Sequence, residues 1–265
     1  MTLLQGILLG VLQGLTEFLP VSSSGHLALA EYYLGINEPG VTFEVFVHFG
    51  TALAVVSFFR RRIASILIAI GRWATRRRFD ADELRLAVHL ILATIPAAAA
   101  GYYLGPRVES AFNNPMLVSI LLLVTGCILW FSGKLFPGTK VRETWVDALV
   151  VGVAQAFAVL PGISRSGTTI TAGLAVGLER RAAAEFAFLL SVPVIFGAAA
   201  ASLGDALDVG GNGPAIALGT LAAFLSALPA IAILLRAVTA GKLAGFAYYC
   251  WALGAISLSA LVMGS

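Results

Sequence analysis

Six stretches of this sequence stay apolar for close to twenty residues each: roughly 42–59, 86–104, 116–133, 184–203, 215–235 and 243–263. A helix of ~20 apolar residues crosses the ~30 Å of hydrocarbon in a bilayer. Lipid leaves backbone groups no solvent to bond, so continuous apolar runs of this length must close their hydrogen bonds internally, as helices. The predicted fold is therefore an all-α integral membrane protein, one membrane domain over residues 1–265. Composition agrees: 59% of residues are hydrophobic and 12% charged, about half the ~25% charge of an ordinary soluble domain. So little charge cannot cover a soluble surface. It excludes a cytosolic enzyme, a disordered tail and a nucleic-acid binder, although the isoelectric point is 9.1. No Lys or Arg precedes Arg60, so the start of the chain lacks the basic region of a cleavable signal peptide. The two cysteines, Cys127 and Cys250, lie in apolar runs and read as packing residues.

Two other stretches, 2–35 and 145–178, each read as an apolar helical run, a polar Pro/Ser/Gly cluster and a short apolar run. Each fits either a full span with a loop or a re-entrant hairpin that enters and leaves by one face. Cytoplasmic loops are enriched in Lys and Arg, and segment 60–85 carries eight Arg, which places it inside. With two hairpins, 15 basic residues fall inside and only Arg107 outside, Arg165 lying within a hairpin; with two full spans the division is 11 to 5. The charge pattern favours six transmembrane helices plus two re-entrant hairpins, with both termini outside.

The stretches also resemble each other. Residues 13–25 read QGLTEFLPVSSSG and residues 155–167 read QAFAVLPGISRSG. Later landmarks recur in the same order: Thr42-Phe43-Glu44 with Ala184-Glu185-Phe186, and Ile95-Pro96-Ala97 with Leu228-Pro229-Ala230. A hairpin followed by three spans makes the second half enter the membrane upside down, an inverted repeat with halves of about 1–136 and 145–265. Such repeats place a binding site where the two breaks meet near the midplane.

Both breaks are rich in hydroxyls and N–H groups and lead into a short helix, an arrangement suited to an oxyanion. The same residues would also serve simply as helix caps. Arg165 is harder to explain as structure alone, because a cation in a membrane-embedded turn costs at least ~2.5–3.5 kcal/mol. It needs an anion, and its planar fork fits phosphate or carboxylate. Glu17 is the protein's own candidate partner if the hairpins meet. Gln13 and Glu17 are four apart on one helix face, where two oxygen-bearing side chains suit a hard divalent cation. Glu17 also reads as a general base. His26 follows Ser-Gly within the polar cluster and is expected to take part in chemistry, whereas His48 and His89 read as structural. Gly6, Gly10 and Gly14 form a small-residue stripe for close helix packing, which would also allow a homodimer.

The run Gln13-Gly-Leu-Thr-Glu17-Phe-Leu-Pro-Val-Ser-Ser-Ser-Gly-His26, taken with Pro161-Gly-Ile-Ser-Arg-Ser-Gly-Thr-Thr169, resembles the two signatures of the bacterial undecaprenyl-pyrophosphate phosphatases of the bacitracin-resistance type. The resemblance extends over the whole chain, with Gln13 where many members carry Glu. It implies hydrolysis of undecaprenyl pyrophosphate to undecaprenyl phosphate, which recycles the carrier lipid of cell-wall synthesis, with a divalent cation (Mg2+ or Ca2+) as cofactor. It also implies residence in the bacterial inner membrane and a site opening to the outer face. On this reading Arg165, Ser22, Ser164, Ser166, Thr169 and N–H groups such as that of Gly167 cradle the phosphates. Glu17, with Gln13, holds the metal or orients the base. Ser23 activated by His26 is the expected nucleophile, with His26 itself or a water as alternatives. The competing function is a transporter or flippase of a polyprenyl phosphate lipid, since inverted repeats with broken helices are also built for transport.

Overall fold

The computed structural model describes residues 1–36, 40–134, 138–201 and 212–263. Among these residues every regular element is a helix: α1 (Leu3–Phe18), α2 (Ser23–Leu34), α3 (Gly40–Phe58), α4 (Arg60–Ala74), α5 (Ala81–Phe112), α6 (Pro115–Ser132), α7 (Trp145–Phe157), α8 (Arg165–Ala175), α9 (Arg180–Ala201), α10 (Gly213–Thr239) and α11 (Gly245–Met263). The polar residues that interrupt the apolar runs set the helix starts. Thr2 with Gln5 and Thr144 with Asp147 form reciprocal capping boxes on α1 and α7. Asp80 accepts the N–H groups of Asp82 and Glu83 at the head of α5, and Asn114 caps α6 just before Pro115.

Among the described residues five helices, α5, α6, α9, α10 and α11, are long and apolar enough to cross a membrane. The sixth expected span falls on α3, whose apolar stretch Thr42–Phe58 is shorter than the other five and is not among the helices of spanning length, because Arg60 follows at once. Segment 60–85, expected as a basic loop, is instead helical over most of its length. Apolar residues recur through its arginines at helical spacing, and Ile66 and Ala69 are buried. The helix α5 also begins before and ends beyond the apolar window, since an Asp cap and two first-turn acids extend it past the hydrocarbon-length stretch.

Glycine sets the closest helix contacts. A Cβ at Gly6 would lie 2.6 Å from the Ala215 carbonyl oxygen, and Gly10 and Gly14 meet Gly219 and Ala223 of the same helix at equally short range, so α1 lies flush on α10. The small-residue stripe is thus used inside the chain and offers no face to a second copy. On the other side Gly152 of α7 meets Ala93 of α5, with a Cβ-to-carbonyl distance of 2.6 Å. Gly254 of α11 packs likewise on Ser119 of α6. The largest buried cluster, with Phe18, Val55, Leu129, Ile170, Phe188 and Ile231, fills the space where α1, α3, α6, α8, α9 and α10 converge.

One end of the molecule is charged. Arg62 pairs with Glu83 and, at 3.0 Å, with Glu185; Arg142 and Arg85 both pair with Asp82; His89 Nδ1 lies 2.9 Å from Glu143. All of these groups but His89 line a depression of 370 Å³ around the N-terminal ends of α5 and α9. A larger cavity, of 840 Å³, lies along the C-terminal halves of the same two helices.

Candidate active site

The site is made by two helix breaks that touch. After Phe18 the chain turns through Leu19-Pro20 and enters α2 at Ser23; after Phe157 it turns through Pro161-Gly162 and enters α8 at Arg165. Both short helices start with the same device: Ser22 caps α2 through the Gly25 N–H (3.3 Å), and Ser164 caps α8 through the Gly167 N–H (3.1 Å). Ser22 Oγ also accepts the N–H of Gly162 at 3.1 Å, tying one break to the other. Ser22 has φ +69°, an unfavourable backbone state for a side-chain-bearing residue, and these two hydrogen bonds hold it there. Gly162 has φ +100°, and a Cβ there would sit 2.6 Å from the Val118 carbonyl oxygen. Thr125 of α6 completes the joint: its hydroxyl donates to the Gly162 carbonyl (2.7 Å) and accepts from the Ser164 N–H (3.0 Å).

Glu17 is buried at the centre. Its Oε2 accepts from Ser23 Oγ at 2.6 Å and from Gln13 Nε2 at 2.9 Å, while Oε1 pairs with Arg165 Nη2 at 3.2 Å. The Glu17–Arg165 pair therefore forms, yet the cation is not used up: Arg165 Nη1 is buried with no hydrogen-bond partner. Glu17, Ser22, Ser23, Ser24, Ser164 and Arg165 all line the 840 Å³ cavity. A hydroxyl donating to a carboxylate, beside a guanidinium with an open fork, can attack phosphorus and bind phosphate oxygens at once.

Other expected site residues are turned elsewhere. His26 does not meet Ser23. Its Nδ1 is 2.7 Å from the Ser22 carbonyl and its Nε2 is 2.8 Å from the Tyr249 hydroxyl of α11, with the two rings stacked. The imidazole folds back one turn onto its own helix, and Ser23 is left to Glu17. Thr169 donates to the Arg165 carbonyl (2.8 Å), Ser166 lies 3.4 Å from the Leu19 carbonyl, and the Gly167 N–H is taken by the Ser164 cap. These three build the turn that presents Arg165; their polar groups are spent within the protein. Ser166 and Thr169 do reach a small recess of about 10 Å³ behind Glu17 and Arg165.

Two residues that the sequence did not point to belong here. His48 of α3 places Nε2 3.6 Å from Glu17 Oε2, its Nδ1 bound to the Glu44 carbonyl at 2.8 Å, and it lines the cavity. Gln155, buried near the end of α7, lines it too. Gln155 is the counterpart of Gln13 in the repeated motif, which is the signal that could have found it. His48 has no such signal, since only the crossing of α3 over α1 brings it in.

Among the described residues no cluster of three or more His, Cys, Asp or Glu is arranged to hold a metal ion. The site does offer Glu17 and, four residues before it, Gln13 Oε1, a buried oxygen with no hydrogen-bond partner. That donor set fits a hard cation such as Mg2+, which commonly takes one or two carboxylates and completes its shell with water and substrate phosphates.

The family described as bacitracin resistance protein BacA matches residues 6–256. Among curated relatives, undecaprenyl-diphosphatase of Desulforapulum autotrophicum is 43% identical over 98% of this chain and 99% of its own. The proteins of the same name from Syntrophotalea carbinolica and Methanobrevibacter smithii are 44% and 42% identical, over 96% and 97% of this chain and 97% and 96% of their own. A match of that extent, carried by a chain whose two helix breaks converge on Glu17, Ser23 and Arg165, shows that this protein belongs to the BacA family.

Proposed function

We propose that this protein hydrolyses undecaprenyl diphosphate to undecaprenyl phosphate and inorganic phosphate, with Ser23 as nucleophile, and so returns the carrier lipid to cell-wall synthesis. The activity is the one named in its relatives, and that name does not favour the lipid-transport alternative. The observation that carries the mechanism is the 2.6 Å hydrogen bond from Ser23 to Glu17 beside the unsatisfied Nη1 of Arg165.

The terminal phosphate is gripped by Arg165, whose second nitrogen keeps Glu17 in place while the first is free for phosphate oxygens. Ser23 Oγ attacks the terminal phosphorus; the bond from phosphorus to the bridging oxygen breaks, polyprenyl phosphate departs, and the Ser23 proton passes to Glu17 Oε2. A water then attacks the phosphoserine. Glu17 returns its proton to Ser23 Oγ as that bond breaks, and the proton lost by the water ends on inorganic phosphate. A divalent cation, held by Glu17 and Gln13 Oε1 together with the diphosphate's own oxygens, would supply charge neutralisation. His26 serves the site indirectly, holding the Ser22 carbonyl and so the shape of the break.

The fine architecture belongs to the same reading: six crossings and two re-entrant hairpins, α1–α2 and α7–α8, in an inverted repeat. It is supported by exchanged packing, since α1 runs along α10 as α7 runs along α5, and α3 and α9 pack on each other. The charged end carries the arginines of α4, so the positive-inside rule makes it cytoplasmic. The large cavity lies toward the other end of α5 and α9 and opens to the outer face of the inner membrane.

Phosphate release from a polyprenyl diphosphate in detergent tests this, with and without chelator, beside a folded Arg165→Ala variant. The expected result is release that both the chelator and the substitution abolish. Acid quenching during turnover should trap phosphate on Ser23, because a phosphoserine survives acid and a phosphohistidine does not. A trapped species in Ser23→Ala would overturn the assignment.

A further inference from the structure

The cavity beside Arg165 is much larger than a diphosphate needs. Its 840 Å³ lies near the top of the ~300–1,000 Å³ range of small-molecule sites. The additional room is bounded by α5 and α9, through Ala97, Ala98 and Gly101 on one side and Gly197, Ala198 and Ala201 on the other. Small residues usually let helices approach, as Gly6 and Gly152 do here, but this wall does the opposite. At Gly101 and at Gly197 an added Cβ would meet nothing within 4 Å. These glycines keep a space open.

A second observation points to an occupant. Gln155, 2% exposed, stands in the wall of the same cavity, anchored through Nε2 on the Ala93 carbonyl at 3.4 Å. Its Oε1 has no hydrogen-bond partner. A buried amide oxygen left over in a cavity wall is costly unless a ligand or its water satisfies it.

We infer that the wall between α5 and α9 is the subsite for the isoprenoid tail next to the diphosphate, and that Gly101 and Gly197 set its width. The inference rests on the headgroup reading of Ser23 and Arg165, with which the wall is continuous in one cavity. A methyl-branched chain needs a broader channel than a straight acyl chain, and alanine and glycine leave room for the branches.

The test is the ratio of kcat/KM for farnesyl diphosphate, with three isoprene units, to that for dimethylallyl diphosphate, with one, in purified full-length protein. Gly101→Leu and Gly197→Leu fill the wall from positions where a Cβ meets nothing within 4 Å, and Gly71→Leu on α4, where the same holds, is the control. Each wall variant should lower the ratio about tenfold, as an added group in a fitted apolar site does, while the control leaves it at the wild-type value. The ratio does not depend on how much of each preparation is folded. An unchanged ratio in both wall variants overturns the inference, and is what a groove filled only by bilayer lipid would give. Arg165→Ala separates this outcome from failure of the headgroup reading, because it should abolish turnover of both substrates whatever the tail touches.

Discussion

The two helix breaks are built alike and do different work. In each, a serine caps a short helix and the next residue opens it: Ser22 then Ser23 in the first, Ser164 then Arg165 in the second. The residue four past the glutamine also differs, Glu17 in the first arm and Val159 in the second. One break thus carries a hydroxyl with the carboxylate it donates to, and the other carries a guanidinium with no carboxylate of its own. On the proposed mechanism, duplicated backbone supplies placement and two substitutions upon it divide the labour between attack and grip.

The sharpest way to break this comparison is to exchange chemistry while keeping the caps. Ser23→Ala should lower kcat by at least about a thousandfold, as loss of a nucleophile does, with no acid-stable phosphoenzyme and an unchanged thermal transition within about 1 kcal/mol. Arg165→Lys keeps charge but loses the fork that spans Glu17 and phosphate; kcat/KM should fall about a hundredfold. If lysine sufficed, the second break would act only through charge. His26→Ala should cost about tenfold or less in kcat while lowering the unfolding midpoint in detergent. A loss as deep as that of Ser23→Ala would restore His26 to the chemistry.

Smaller effects belong to the shared scaffold and should be matched across the two breaks. Gly162→Ala forces a Cβ onto the Val118 carbonyl at φ +100° and should destabilise by about 1–3 kcal/mol. Ser164→Ala should cost about 1 kcal/mol, the usual loss of a cap. Ser22→Ala removes a cap and the tie to Gly162, and should cost somewhat more, also measurable as a thermal shift.

The sequence was most readable where one physical requirement acts alone. Hydrocarbon thickness demands long apolar runs, so the spans were evident. Pro20 and Pro161 with their serines marked the breaks, because lipid tolerates no such residues without a reason. Within the site, Glu17, Ser23 and Arg165 stood out as polar groups at membrane depth. What was hidden depended on direction or crossing. The ring of His26 can turn toward Ser23 or toward Tyr249, and spacing does not choose between them. His48 sits in an apolar helix and becomes a neighbour of Glu17 only through the path of α3. The helix α4 was masked by its arginines, whose number suggested a loop although their spacing with Ile63, Ile66 and Ile70 is helical.

The flush contact of α1 with α10 also governs the order in which the protein can be made. The glycines of α1 leave the ribosome first, and the carbonyls they rest on, from Ala215 to Ala223, come some two hundred residues later. At a synthesis rate of ~5–20 residues per second the first arm waits roughly 10–40 s for its partner. Glu17 and Ser23 are carried through that interval on or beside a helix without its permanent neighbour, so the proposed reactive centre gains its final packing only once α10 has been inserted.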